Sequence, residues 1–247
     1  MLDICFCFCY LSQTTQDYLQ EWLSRREDEL RTILNLEALP DDAACIYCRK
    51  KPSVYRCVDC NGRPTSCQEC CLETHSRNPL HRVEEWTGHY FTPSWLWRIG
   101  LSINLGHRGL SCPWYHQNPD AETITIDKVD SDLIDEEDPE DYDWVDPGKP
   151  KSTIIPGSRV MVIIHTNGIH YLPVRICRCP NAPSEDIQMM EMSFYPSTYK
   201  NIRTMFTFQL LDDYLLDNLE CQTSSHHYFQ KLRRMTNPAL PQSVPVG

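Results

Sequence analysis

Between Cys45 and His81 the sequence spaces eight metal-ligand side chains as four close pairs: Cys45-x2-Cys48, Cys57-x2-Cys60, Cys67-x2-Cys70 and His75-x5-His81. Two cysteines separated by two residues can hold one ion from a single tight turn, and zinc takes four such donors in a tetrahedron. Four pairs therefore supply two sites. Pairs this close in sequence favour an interleaved cross-brace, in which the first and third pairs share one ion and the second and fourth share the other. That predicts Cys45, Cys48, Cys67 and Cys70 around a first zinc, and Cys57, Cys60, His75 and His81 around a second. Cys71 competes with Cys70 for the first site, but the spacing from Cys67 favours Cys70. A stretch of about forty residues with few aliphatic side chains cannot build its own core. Metal must then supply the folding free energy, on the order of 10 kcal/mol for such modules. Four protein ligands per ion leave no position for a catalytic water, so these are scaffold sites. A thioredoxin-like role for one CxxC fits poorly, because three occur in series.

The chain has 14 cysteines in 247 residues, which admits either a secreted disulfide framework or metal in a reducing compartment. The opening MLDICFCFCYL carries Asp3 and lacks both a basic flank and a small-residue cleavage site, so it reads as neither signal peptide nor anchor. No run approaches the roughly 18 apolar residues of a membrane helix. These points favour zinc in an intracellular protein without a membrane. Cys5, Cys7 and Cys9 alternate like a strand and have no histidine nearby, which argues against a further metal site there.

The net charge of −11 belongs mostly to one segment. Residues 120–146 hold thirteen acids and a single base, Lys128; removing their −12 leaves the rest of the chain at +1. So dense a like-charge run repels itself and reads as a disordered, solvated linker.

Around these features the expected fold class is α+β. An N-terminal helix over 14–36 starts at the capping pair Thr14 and Asp17, sets Tyr18, Leu19, Trp22, Leu23, Leu30, Ile33 and Leu34 largely on one face, and ends before Pro40. A packing role for this helix is preferred to a partner-binding coiled coil. Thr92-Pro93 reads as a helix start, and Leu101–Leu105 as a short strand. The β-branched runs Val160–Ile164 and Ile169–Ile176 flank Thr166-Asn167-Gly168, a hairpin signature. A further strand is expected at 204–208, with helices at about 209–219 and 225–235, the second stopped by Asn237-Pro238. Expected boundaries are an N-terminal segment and helix at 1–40, a double zinc module at 41–90, an α+β domain at 91–119 and 151–237, the acidic linker at 120–150, and a loose Pro-rich tail at 238–247.

The ligand order resembles a B-box zinc finger, less closely a ZZ finger, and departs from a RING, whose last pair would be cysteines. Beyond the ligands, four blocks resemble the CxC-type cysteine-cluster domain associated with KDZ (Kyakuja-Dileera-Zisupton) transposases, a family known mostly from fungi. They are YRCVDCNGRPTSCQECCLETHSRNPLHRVEEW, IGLSINLGH with the following CP, HTNGIHYLPVRICRC, and FYPSTYKNIRTMFTFQLLDDYLL. The resemblance joins a third donor set that spacing alone would not: His107 and Cys112 before the acidic linker, Cys177 and Cys179 after it. Such a site would bring the zinc count from two to three and clip the two halves of the chain together. His170 stands as a substitute ligand near Cys177. The aromatic group Trp86, Tyr90, Phe91, Trp95 and Trp97 reads as core packing rather than a base-stacking platform.

The resemblance implies a nuclear, non-catalytic, zinc-binding N-terminal region of a transposase, or a fragment derived from such an element. It would dock on DNA, on a protein partner or on a transposase catalytic region, and no small-molecule substrate is expected. The chain stops where the nuclease region of such an enzyme would begin, and no strand presents the separated carboxylates that two-metal cleavage needs. No Walker loop, nucleophile elbow or open zinc triad occurs. Residues 45–82 carry seven bases and three acids; a zinc bound by four thiolates would reduce that nominal +4 to about +2, a small footprint for phosphate binding. Arg49, Lys50 and Lys51 are its DNA-contact candidates. The alternative is a B-box-like module for protein–protein interaction or self-association, unrelated to transposition. A ubiquitin-transfer adaptor would rest on fold analogy alone.

Overall fold

The computed structural model describes residues 14–40, 42–117 and 157–244. The acidic segment and the CFCFC run at the start of the chain lie outside the described residues. The fold mixes helix and sheet, as expected. Helix α1 (Thr15–Leu36) begins at a reciprocal capping box: the Thr14 hydroxyl accepts from the Asp17 amide, and the Asp17 carboxylate accepts from the Thr14 amide at 2.8 Å. Contrary to the packing role expected of it, α1 buries none of its side chains. Its C-terminal end is nevertheless fixed. Arg56, itself buried, donates to the Leu36 carbonyl at 2.5 Å, to Glu37 at 3.0 Å and to Glu84.

A first sheet has the order β2-β1-β3-β4, with β1 (Tyr55–Cys57), β2 (Thr65–Ser66), β3 (Val83–Trp86) and β4 (Phe91–Ser94), all neighbours antiparallel. Helix α2 (Gln68–His75) follows β2. Thr92-Pro93 does not start a helix as expected. Pro93 sits in edge strand β4, where its missing N–H costs no ladder bond, and helical geometry begins only at the short 3-10 turn Leu96–Ile99. Tyr55, Val83, Leu96, Ile99 and Leu101 close a small core beneath this sheet, together with Cys57 and Cys71.

The second sheet has the order β5-β7-β6-β9-β8. Its centre is the expected hairpin, β6 (Arg159–His165) and β7 (Gly168–Arg175), turning through the two residues Thr166 and Asn167. Gly168 has φ of +141°, and a Cβ there would lie 2.8 Å from the Thr236 hydroxyl, so only glycine lets the hairpin end meet the last helix this closely. β5 (Ile103–Asn104) adds parallel to β7, and β9 (Thr204–Thr207) adds parallel to β6 with β8 (Phe194–Pro196) outside it. The period-2 alternation of β6 decides the layers. Met161 and Ile163 join Leu172, Val174, Met205, Leu80 and Trp97 on one side. Ile164 joins Ile169, Tyr171, Leu210, Tyr228 and Leu232 on the other, under α5 (Phe208–Cys221) and α6 (Ser225–Thr236). Two short helices complete the set: α3 (Pro113–Gln117), and α4 (Glu185–Glu191), which the periodicity does not suggest. The tail is not loose as far as residue 244. Pro241 and Val244 are buried, and Arg233 donates to the Gln242 carbonyl at 2.6 Å.

The two sheets are joined by the hairpin turn. The Asn167 amide donates to the Leu80 carbonyl at 2.8 Å and to Asp59 at 3.2 Å, while its side-chain oxygen accepts from His170 Nε2 at 2.7 Å. Asp59 is also clasped by Arg82 at 2.6 Å.

Candidate metal centres

Local structure brings all twelve anticipated donors into three groups, in each of which the ligand atoms lie within 4.8 Å of one another. The first group is Cys45, Cys48, Cys67 and Cys70; the second is Cys57, Cys60, His75 and His81; the third is His107, Cys112, Cys177 and Cys179. The interleaving has a plain cause. β1 ends at Cys57, so its turn carries Cys57 and Cys60, and β2 delivers Cys67 to the N-terminus of α2, whose first turn holds Cys70 and whose last residue is His75. The Cys45–Cys48 turn closes on the other side through backbone hydrogen bonds, the Cys45 N–H donating to the Lys51 carbonyl and the Arg49 N–H to the Cys45 carbonyl, both at 2.8 Å.

The third group depends on a tight backbone approach. Gly106 has φ of +74°, and a Cβ there would fall 2.8 Å from the Cys177 Cβ. His107 and Arg108, both also at positive φ, form a knuckle that turns the imidazole toward the sulfurs. Cys112 precedes α3, and Cys177 and Cys179 follow β7. Buried Gln188 from α4 pins Cys177 from both sides: its amide oxygen accepts from the Cys177 N–H at 2.8 Å, and its amide nitrogen donates to the Cys177 carbonyl at 3.1 Å. The Tyr115 hydroxyl donates to the Ile176 carbonyl at 3.1 Å and fixes the same segment.

The donor spacing suits zinc. Bond lengths of about 2.3 Å to sulfur and about 2.0 Å to nitrogen imply tetrahedron edges of about 3.8 Å between sulfurs and about 3.5 Å between sulfur and nitrogen. The structure has Cys48–Cys67 at 3.8 Å, Cys112–Cys177 and Cys112–Cys179 at 3.6 Å, Cys60–His75 Nε2 at 3.5 Å, and Cys60–His81 Nδ1 at 3.4 Å. His107 Nε2 stands 3.2 Å from Cys177 and 3.4 Å from Cys179. His75 is held in the ligating tautomer, because its Nδ1 donates to the Cys71 carbonyl at 2.8 Å and leaves Nε2 bare toward the sulfurs.

The ionisation pattern is compatible with a bound cation. Burial raises Cys45, but backbone N–H groups of Cys48, Cys67 and Tyr47 outweigh it and bring the thiol down to about 6. Cys112 reaches about 6 in the same way, burial being overcome by the N–H groups of Arg178 and Trp114. Cys48 is lowered as well, by the backbone N–H groups of Lys50 and Lys51, whereas other members of the two groups move oppositely. Cys70 is pushed up to about 12 by burial and by Cys67 and Cys45, and Cys179 to about 11 by Cys112 and Cys177. Thiols held down thus sit beside thiols pushed up, and the repulsion between neighbouring thiolates is one that a bound divalent cation removes.

The first group takes Cys70 and not Cys71, as the spacing from Cys67 favours; Cys71 is buried, and burial raises its thiol to about 11. His170 is not a substitute ligand, since its Nε2 is committed to Asn167. Arg49, Lys50 and Lys51 are exposed, but Lys51 is paired with Glu69 at 2.6 Å. The aromatic group divides between roles: Trp97 lies in the core, Trp86 packs on Phe91 with ring centroids 4.9 Å apart, and Tyr90 is exposed. No spacing rule marks Gln188, Asn167 or Arg56 as positioning residues, and sequence reasoning misses all three in that role.

No curated protein matches the chain, and no solved structure does. Of the sequence blocks that carry the resemblance, HTNGIHYLPVRICRC and FYPSTYKNIRTMFTFQLLDDYLL fall inside the region a family model matches, with Cys177 and Cys179, and the two earlier blocks fall outside it. Residues 146–239 match the family described as the CxC2 like cysteine cluster associated with KDZ transposases, the family that the sequence resembles.

Proposed function

We propose that the chain is a non-catalytic docking module of a KDZ-type transposase, or of a protein derived from one, tied together by three zinc ions. The observation that carries this reading is the closure of each donor set. Every group offers four side chains whose donor atoms lie within 4.8 Å of one another, so a zinc bound by all four would keep no position for water or substrate. The ions would act on folding. Two would brace residues 45–81, and the third would staple the 107–112 knuckle to the segment that follows β7. Such sites hold surfaces in place, so activity in transposition would come from what the module grips.

The surfaces favour a protein partner over DNA. Of the three clustered bases one is already neutralised by Glu69, whereas α1 presents Tyr18, Trp22, Ile33 and Leu34 to solvent. A fluorescence-anisotropy titration with a labelled duplex at 50 and 200 mM salt tests this preference. The protein-docking reading expects no more than non-specific affinity, about 10⁻⁴ to 10⁻⁶ M, unaltered when Arg49, Lys50 and Lys51 are all replaced by alanine. Binding at least a hundredfold tighter that disappears in the triple variant would assign DNA as the partner instead.

A further inference from the structure

Among the described residues, helix α1 is anchored at one end only. Arg56 holds the Leu36 carbonyl and Glu37, and from that clamp about 33 Å of helix extends with no buried side chain. Leu19, Trp22, Ile33 and Leu36 are each about half exposed, at 50%, 47%, 59% and 52%. Large apolar side chains left in water toward both ends of a helix make a surface awaiting a partner.

The order of side chains in the stripe says what the partner is. Positions 19, 22, 26, 29, 33 and 36 follow the 3-4-3-4-3 spacing of a heptad seam, and they read Leu, Trp, Arg, Glu, Ile, Leu. Two charges of opposite sign occupy its middle. If two copies lay parallel and in register, Arg26 would face Arg26 and Glu29 would face Glu29, a doubly repulsive centre. If they lie antiparallel, with each first-type seam position opposite a second-type position, residue i meets the partner's residue 55 − i. Leu19 then meets Leu36, Trp22 meets Ile33, and Arg26 meets Glu29. The two-fold axis repeats each pair, so four apolar layers enclose two ion pairs and no charge is left against its like. Leu23 and Leu30 flank the seam on one side. Glu29 makes no ion pair among the described residues, and Arg26 pairs with its own neighbour Glu27 at 2.8 Å, from which it can swing across.

We propose that α1 is a self-association element: two copies of this chain pair through antiparallel α1 helices, with Arg26 of each against Glu29 of the other. The clamp at Leu36 then puts the two metal-binding modules at opposite ends of the pair. This gives a partner to the apolar surface on which the protein-docking reading rests, and it does not depend on the identity of the metal.

Sedimentation equilibrium of the zinc-loaded chain, with zinc content measured on each sample, tests it. The wild type should change from monomer to dimer over roughly 1–100 µM. Arg26→Glu, which sets the new carboxylate against Glu29 twice, should weaken the dimer at least tenfold. The double variant Arg26→Glu/Glu29→Arg should restore it, because the ion pair returns with its sign reversed, whereas a parallel pair would gain nothing. A wild type that is monomeric at 100 µM overturns self-pairing while leaving docking on a different protein intact. A dimer that survives Arg26→Glu, or one that the double variant fails to rescue, overturns the antiparallel register. Zinc content unchanged in every variant shows that the rest of the fold is not what was lost.

Discussion

Replacing Asn167 by alanine should loosen the joint between the metal-binding module and the five-stranded sheet. The side chain makes three hydrogen bonds, to the Leu80 carbonyl at 2.8 Å, to His170 Nε2 at 2.7 Å and to Asp59 at 3.2 Å. The third is replaceable, because Asp59 keeps its ion pair with Arg82. The other two are not. Leu80 and His170 are both buried, and each would retain a polar group facing the space left by the amide. A buried group stripped of its partner costs about 1–3 kcal/mol, so the expected loss is roughly 2–6 kcal/mol. For a domain of this size that corresponds to about 2–4 °C per kcal/mol, or a fall in Tm on the order of 10 °C. The backbone at Asn167 is not in the left-handed region, so alanine adds no strain of its own. Asn167→Asp separates hydrogen bonding from size. It still offers His170 an acceptor, but it turns a carboxylate toward Asp59 and the Leu80 carbonyl, and it should be at least as unstable as alanine at pH 7. Thermal unfolding followed by circular dichroism, with zinc in slight excess, reads both variants. A shift below about 2 °C for Asn167→Ala, or an aspartate variant as stable as the wild type, would refute the reasoning.

His170 should make the fold acid-sensitive. Burial, and after it the charge of His165, hold its imidazole down at about 3, with Asp59 opposing and Arg82 assisting. The unfolded chain takes up that proton near pH 6.5 and the native state does not, so this contribution is whole above pH 6.5 and shrinks as pH falls toward 3. The loss is about 1.4 kcal/mol per pH unit, or about 2 kcal/mol by pH 5. Urea unfolding at pH 7 and pH 5 should show that extra loss in wild type relative to His170→Leu, a comparison that cancels acid release of metal from the histidine ligands; equal losses in both would contradict it. Gln188→Leu keeps the volume but frees both backbone groups of Cys177. Chelator competition should find the third metal site weakened 10–100-fold and the other two unchanged, and an unaltered third site would show that Gln188 does not position the ligand.

How much of this was legible in the sequence differs by element. Eight donors at close, regular spacing define two sites by chain geometry alone, and the grouping of Cys45 with Cys67 rather than with Cys57 follows from the strand and helix that separate the pairs. The hairpin announced itself through β-branched alternation around Asn167-Gly168. The third group could not be reached that way, because Cys112 and Cys177 are 65 residues apart and are joined only by the folded sheet. Pro93 misled because proline is tolerated both in a first helical turn and on an edge strand, and only the pairing of β4 with β3 decides between them. α1 shows the converse limit. Its amphipathic pattern was clear, but a pattern states that a face wants cover without stating whether the cover lies in the same chain.

A scaffold tied by three closed zinc sites is tested most directly by counting zinc per chain. Elemental analysis would be made on protein purified under reducing conditions, beside a His107→Ala variant. Three zinc ions are expected per wild-type chain and two in the variant. Two in both would confine metal to residues 45–81 and make Cys112, Cys177 and Cys179 ordinary core residues. Near-zero zinc in folded protein would contradict the zinc scaffold altogether.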